Sequence, residues 1–373
     1  MISTQEQLDA RLDRQHTINV EMSQVGPLPH ENEHYNAIRS LVHSGFTFTP
    51  RELLHAIGSK TAALPFSAHD ECIKAALLYT YILDLEGPYL SFQGTYGSDL
   101  QTARSQEVGI GMMCLVAQKH LHIPWDQLGP LPALGKRFDY KGGILGLDCI
   151  LECKGTSHIG YQASQINNGI EKKDAHHARG EHFDIELIIS TYIGHEGSRP
   201  RILVADPDKR SLRKIYSIAD ERYLRLRHYC RVLQFIGLPD SAYELNNYAR
   251  EYLQSKRPLR KRIMEEKYRR GRLESVRIEG DEFLGRWFDS WLPKESKRYA
   301  KLYNKEQSLR IRLHKGQRHI FQGLRRDFFE SGFDSEPFRH KLLEQKDIST
   351  YKDYNGTGIS VFPDGTIQVL KQN

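Results

Sequence analysis

The chain has 373 residues, of which 39% are hydrophobic and 27% charged, a balance that suits a folded core and excludes a disordered chain. Its formal net charge is +6; the amino terminus is polar and acidic, unlike a signal peptide, and no apolar run approaches the ~20 residues of a membrane span. Five scattered cysteines, Cys72, Cys114, Cys149, Cys153 and Cys230, read as reduced thiols of a cytoplasmic protein, because no Cys or His pairs repeat at zinc-ligand spacing.

Residues 1–97 read as a helical N-terminal domain. Residues 67–87, SAHDECIKAALLYTYILDLEG, carry a broad apolar face and end at a glycine, which predicts a core helix. Ser98 is a good N-cap, and the pattern stays helical to about His120 before Pro124 stops it. The texture then changes. Residues 135–143, GKRFDYKGG, and 144–155, ILGLDCILECKG, predict a hairpin with Gly-Gly at its turn. A polar helix over 160–180 follows, then strands in 183–194 and 199–208. Residues 98–208 therefore form a compact α/β unit.

From 209 to 373 the chain reads as basic and mainly helical. Within 256–272, KRPLRKRIMEEKYRRGR, nine of seventeen residues are Lys or Arg and two are Glu. That window carries the whole excess of positive charge, and its density suits a polyanion. Arg260, Lys261, Arg262, Arg269, Arg270 and Arg272 are its candidate nucleic-acid contacts. Pro-Asp-Gly-Thr between two alternating apolar runs predicts a closing hairpin over 358–371.

The strand ending at Glu152 and Lys154 invites a functional reading. Glu-x-Lys alone means little: Glu171, Glu265, Glu295 and Glu344 also have a Lys two positions on, in polar surroundings that read as solvated helix faces. Only the Glu152 copy ends an apolar strand. Alternation puts Asp148, Ile150, Glu152 and Lys154 on one face, and Leu147, Cys149, Leu151 and Cys153 on the other. Asp139 lies on the partner strand, and two facing carboxylates repel unless a cation compensates them. A divalent ion such as Mg²⁺, content with a few carboxylate oxygens and water at about 2.1 Å, would do so. Upstream, Glu107 interrupts a helix face of small and apolar residues, a costly place for an unpaired carboxylate.

The series Glu107, Asp139, Glu152-Cys153-Lys154 resembles the PD-(D/E)XK nuclease superfamily, with its restriction-endonuclease-like fold. The likeness covers residues 98–206, and the order of elements fits that superfamily's αβββαβ core. The strand before Asp139 falls within LGPLPALG, and Phe138 stands where the family usually has proline. The resemblance implies an α/β core with a mixed central sheet flanked by helices, preceded by a helical region and followed by a basic, mainly helical one. It implies Asp139 and Glu152 as ligands of Mg²⁺, with Mn²⁺ able to substitute, the Cys153 backbone carbonyl as a further ligand, and Glu107 as an outer or second-metal ligand. Lys154 would orient the attacking water or stabilise the phosphorane, and Gln165 on the following helix would bond the water or a phosphate. The implied function is hydrolysis of phosphodiester bonds, in DNA above all, in a restriction or anti-phage defence setting. A homodimer or a separate regulatory subunit is the expected partner besides nucleic acid. The alternative is an inactive nucleic-acid-binding or scaffold subunit that keeps the fold.

Other motifs are weaker. His30 to His34, HENEH, matches H-E-x-x-H but follows GPLP directly, at the first turn of any helix. IGSKT at 57–61 has the wrong spacing for a phosphate loop. His176, His177 and His182 read as solvated histidines at a helix end, and Asp206 and Asp208 as turn residues.

Overall fold

The computed structural model describes residues 12–23, 33–61, 83–84, 87–92, 98–131, 138–144, 147–181, 183–205, 218–255, 273–289, 319–345, 348–352 and 358–371. They form a mixed α/β protein: a seven-stranded mixed sheet packed against helices, and a second, antiparallel sheet of six strands. None of the described helices is long and apolar enough to cross a membrane. The described cysteines, Cys114, Cys149, Cys153 and Cys230, are all buried thiols outside any disulfide.

The first sheet begins in the N-terminal region. Strand β1 (His16–Met22) is followed by helix α1 (Glu33–Ser44), β2 (Phe46–Phe48) and helix α2 (Pro50–Thr61). After a small ribbon, β3 (Leu83–Asp84) with β4 (Ser91–Phe92), comes the long helix α3 (Ser98–Lys119). Next are β5 (Gly129–Pro130), β6 (Tyr140–Ile144), β7 (Leu147–Thr156), helix α4 (Tyr161–Ala178), β8 (Ile185–Tyr192) and β9 (Arg201–Ala205). The strand order is β2-β1-β9-β8-β7-β6-β5. The β7–β8 and β1–β9 pairs are parallel and the others antiparallel. Strand β8 lies at the centre of this sheet and is buried along its whole length, as a strand covered on both faces must be.

Alternation divides the sheet into two buried faces. Cys149, Leu151 and Cys153 of β7, Leu187 and Ile189 of β8, and Ile202 and Val204 of β9 share a core with Met112, Leu115 and Val116 of α3. Ile150, Ile188 and Ala205 point the other way, against Ile166 of α4. The approach of α3 to β7 is so close that no side chain fits between. A Cβ on Gly109 would stand 2.6 Å from the Gly155 nitrogen, and one on Gly155 would run into the Ser105 carbonyl. Gly155→Ala is therefore expected to cost about 1–3 kcal/mol in urea denaturation, through backbone displacement. Gly160→Ala, at a helical φ with nothing near its Cβ, should stay within about 0.5 kcal/mol of the parent. Equal stability of the two variants would show that the backbones do not press together there.

The flanks differ from their sequence reading. The region expected to be helical contains α1 and α2, but β1 and β2 extend the main sheet, and Leu83 and Asp84, expected in a helix, are in the ribbon. The Gly-Gly pair is not the turn of the site hairpin: Gly142 and Gly143 pair with Cys149 and Asp148 inside the ladder. A Cβ on Gly142 would press on Ile123 at 3.0 Å, so glycine there serves packing. The C-terminal region starts with helices α5 (Ile218–Phe235) and α6 (Pro239–Ser255), as expected. It then turns to strands: β10 (Glu274–Ile278), β11 (Asp281–Asp289) and β12 (His319–Arg325), the last read as helical. Short helices α7 (Arg326–Ser331) and α8 (Glu336–Glu344) precede β13 (Ser349–Lys352), β14 (Gly358–Val361) and β15 (Thr366–Lys371). The β14–β15 hairpin is the predicted one, with its register centred on Phe362 to Gly365.

A buried polar network joins this C-terminal hairpin to the helices beside the main sheet. The Lys60 Nζ on α2 donates to the carbonyls of Trp125 and Leu128 at 2.6 and 2.7 Å, and lies 2.8 Å from His228 Nδ1 on α5. His228 Nε2 faces Asp364 Oδ2 at 3.3 Å, and His55 Nε2 approaches the same oxygen at 3.4 Å. Asp364 Oδ1 accepts from the Thr366 hydroxyl and amide at 2.6 and 3.0 Å. Lys60 thus sits in IGSKT, but at the end of a helix and sealed in protein, with no phosphate-binding loop.

Candidate active site

Strand β7 builds the site. Glu152 and Lys154 continue the face of Ile150, as parity predicts, and their Oε1 and Nζ atoms are 2.7 Å apart. The β6 ladder ends with Tyr140 opposite Leu151, so Asp139 stands one residue beyond it, beside Glu152 and Cys153. Asp139 Oδ2 accepts from the Cys153 amide at 3.3 Å and lies 3.5 Å from Lys154 Nζ. The amide and carbonyl of one strand residue point to the same edge, so the Cys153 carbonyl is also turned toward the side of Asp139.

The compensation for the two facing carboxylates is already present in the protein, and the sequence reading missed it. Lys172 Nζ on α4 bonds to Glu152 Oε1 at 2.6 Å and to Asp139 Oδ1 at 3.1 Å. One ammonium thus bonds an oxygen of each carboxylate and holds the two side chains together. Lys172 belongs to the Glu171 copy of Glu-x-Lys, which reads as a solvated face; so does Lys173, which is buried on Glu186 at 3.1 Å. The reach of Lys172 depends on Gly169, one turn earlier. A Cβ there would press on Ile188 at 2.8 Å, and Ile188 is in register with Glu152. The signal in the sequence was the seven-residue spacing of Gln165 and Lys172, which places both on one helix face.

Electrostatics mark Glu152 as the unusual group. Its side chain is fully buried, and burial together with the neighbouring Asp139 charge raises its pKa above the ordinary carboxylate value. One of its oxygens, Oε2, is buried and has no hydrogen-bond partner among the described residues. Burial alone would depress Lys154, but the Asp139 and Glu152 carboxylates outweigh it and hold the ammonium above its usual range. Lys154 is accordingly a fixed cation at neutral pH, suited to stabilising charge and unsuited to taking a proton.

The other sequence candidates are placed differently. Gln165 anchors the strand end: its amide donates to the Gly155 carbonyl at 3.3 Å, and its oxygen accepts from the Ser190 hydroxyl at 2.7 Å. Ser190 is in register with Lys154, so Gln165 braces the lysine's surroundings. Glu107 pairs with Arg104 at 2.6 Å. It lies about 200° around the helix from Ser105 and Gly109, the residues that meet β7, and shares the face of Gly111, which meets Leu53 and Ile57. The expected role of Glu107 as a ligand is unsupported by this placement. His176 is buried, in contrast to its solvated reading; its Nε2 accepts from the Phe138 amide at 3.0 Å, and its Nδ1 lies 2.6 Å from Glu181 Oε2. That pairing steadies the backbone entering Asp139. His177 lies 2.8 Å from Glu186.

His182, Asp206, Asp208 and His30 fall outside the described residues, as do Arg260, Lys261, Arg262, Arg269, Arg270 and Arg272. Among the described residues no three His, Cys, Asp or Glu side chains are grouped to hold a metal ion. Two carboxylates are nevertheless enough for Mg²⁺, which keeps several waters and commonly takes one or two carboxylates plus substrate phosphates. The unpartnered Glu152 Oε2 fits such an ion, because a buried carboxylate oxygen is costly unless it is bonded or ligating. No family model matches the chain, and no curated protein or solved structure matches it either.

Proposed function

We propose that this protein is a divalent-metal-dependent nuclease that hydrolyses phosphodiester bonds, with DNA the first substrate to try. The observation that carries the reading is the pairing of half-exposed Asp139 with fully buried Glu152, whose Oε2 has no partner among the described residues, with Lys154 two residues farther along the same strand face. The order α3-β5-β6-β7-α4-β8 supports the resemblance to the PD-(D/E)XK nucleases. Asp139, Glu152 and the Cys153 carbonyl would hold Mg²⁺ or Mn²⁺. When bound, such an ion acidifies water and neutralises charge on a phosphate. Lys154 supplies a compact positive charge where the attacked phosphate gains negative charge. Gln165 and Ser190 brace the strand end beside it, and His176 fixes the backbone leading into Asp139.

The second reading, a scaffold that keeps the fold without chemistry, is favoured by one observation: two lysines neutralise the two carboxylates. A cleavage assay separates the readings. With Mg²⁺ or Mn²⁺ the nuclease should cut at least one of supercoiled plasmid, linear duplex, single-stranded DNA or RNA, and EDTA should stop it. Absence of cutting on all four with either metal would favour the scaffold.

A further inference from the structure

Lys172 bonds one oxygen of each carboxylate that a shared metal ion would bridge. Its Nζ is 2.6 Å from Glu152 Oε1 and 3.1 Å from Asp139 Oδ1. A divalent ion drawing those same two oxygens in to about 2.1 Å each would take the place of the ammonium, with Glu152 Oε2 free to join as a further ligand. The two positions overlap, and two cations that close repel strongly in a poorly solvated site. Lys154 extends from the same strand as Glu152 and approaches Asp139 only at 3.5 Å, so the two lysines are not equivalent. Lys172 comes from a different element, on a four-carbon stem with 21% of its side chain exposed, and has a way out to solvent. With Lys172 in place the quartet of Asp139, Glu152, Lys154 and Lys172 is formally neutral, and the carboxylates stay together without a metal.

We propose that Lys172 is a tethered cation that occupies the metal position in the resting site and is displaced when a divalent ion binds, thereby setting the site's metal affinity. This rests on the metal-site reading above. It makes Lys172 a positioning residue for the carboxylate pair, and makes metal concentration, through that displacement, a control on whether the site is assembled for catalysis.

The test is Mn²⁺ binding to the full chain without nucleic acid, followed by electron paramagnetic resonance of the free ion. Lys172→Met keeps the stem and removes the charge; it should bind one Mn²⁺ about tenfold more tightly, the effect of removing one charge-assisted competitor. Its thermal midpoint without metal should fall and be restored by Mn²⁺. Lys172→Arg keeps a cation and should stay near the parent affinity. If Lys172→Met does not fold, Lys172→Gln carries the same comparison. Equal or weaker Mn²⁺ binding by the uncharged variant overturns the tethered cation and leaves the metal site standing. No binding by either parent or variant overturns the metal site itself. Binding by the uncharged variant alone supports both.

Discussion

Glu152→Gln is expected to reduce metal-dependent cleavage by on the order of 10³-fold, the scale at which groups stabilising transition-state charge act. The substitution keeps the shape of the side chain and removes the charge that would hold the ion. It also removes the charged acceptor of both Lys154 and Lys172, while relieving the burial of an unpartnered carboxylate oxygen. Those stability effects oppose each other, so the variant should remain folded by circular dichroism while losing activity. Lys154→Ala should cost about 10²-fold or more with metal binding retained, because in the proposed site its charge would serve the phosphate and not the ion. A Glu152→Gln protein that cuts as fast as its parent would falsify the site.

The largest stability effect is expected far from that site. Asp364→Asn should destabilise the protein by about 3–5 kcal/mol, because it takes the negative charge away from the buried Lys60 ammonium and the charged acceptor away from His55 and His228. Asp364, His228, Lys60 and His55 are all buried, and they tie α2 and α5 to the turn of the β14–β15 hairpin. Burial alone would raise the Asp364 pKa, but His55 and His228 outweigh it and hold the carboxyl well below the usual range. The same network sets a pH response. Burial, then the Lys60 charge, push His228 down to about 4, whereas an unfolded histidine titrates near ~6.5. Between those values the unfolded chain binds a proton that the folded one refuses. Stability should therefore fall as pH drops from about 6.5 toward 4, by up to ~1.4 kcal/mol per unit for this one group. Burial also lowers Lys60 to about 8, so the matching gain appears as pH rises above that value. Urea titrations at several pH values read both windows; a flat profile between pH 7 and 4.5 would show that His228 is not held neutral.

What was legible from residues alone follows the range of the interactions. The helix over 98–119, the strands through Glu152 and Ile188, and the polar helix between them announce themselves by periods of 3.6 and 2, which are local properties. The faces of β7 follow from the same alternation: Glu152 beside Lys154, and Cys149, Leu151 and Cys153 in the opposite core. Strand β12 was less legible. Its seven residues, HIFQGLR, lie in a basic stretch whose local pattern reads as helical, and its strand character comes from pairing with β11 and β15.

The acidic pair could be suspected along the chain because Asp139 and Glu152 lie on neighbouring strands of one hairpin. The cation between them could not. Lys172 is 20 residues from Glu152, in a run that local pattern assigns to solvent, and it reaches the carboxylates only because Gly169 lets α4 settle against Ile188. Packing likewise turned Glu107 toward Arg104 and drew His55, Lys60, His228 and Asp364 from distant parts of the chain into one dry network. Periodicity sets which side of an element a residue faces; which other element meets that side is decided only when the layers close, because burial fixes both partners at once.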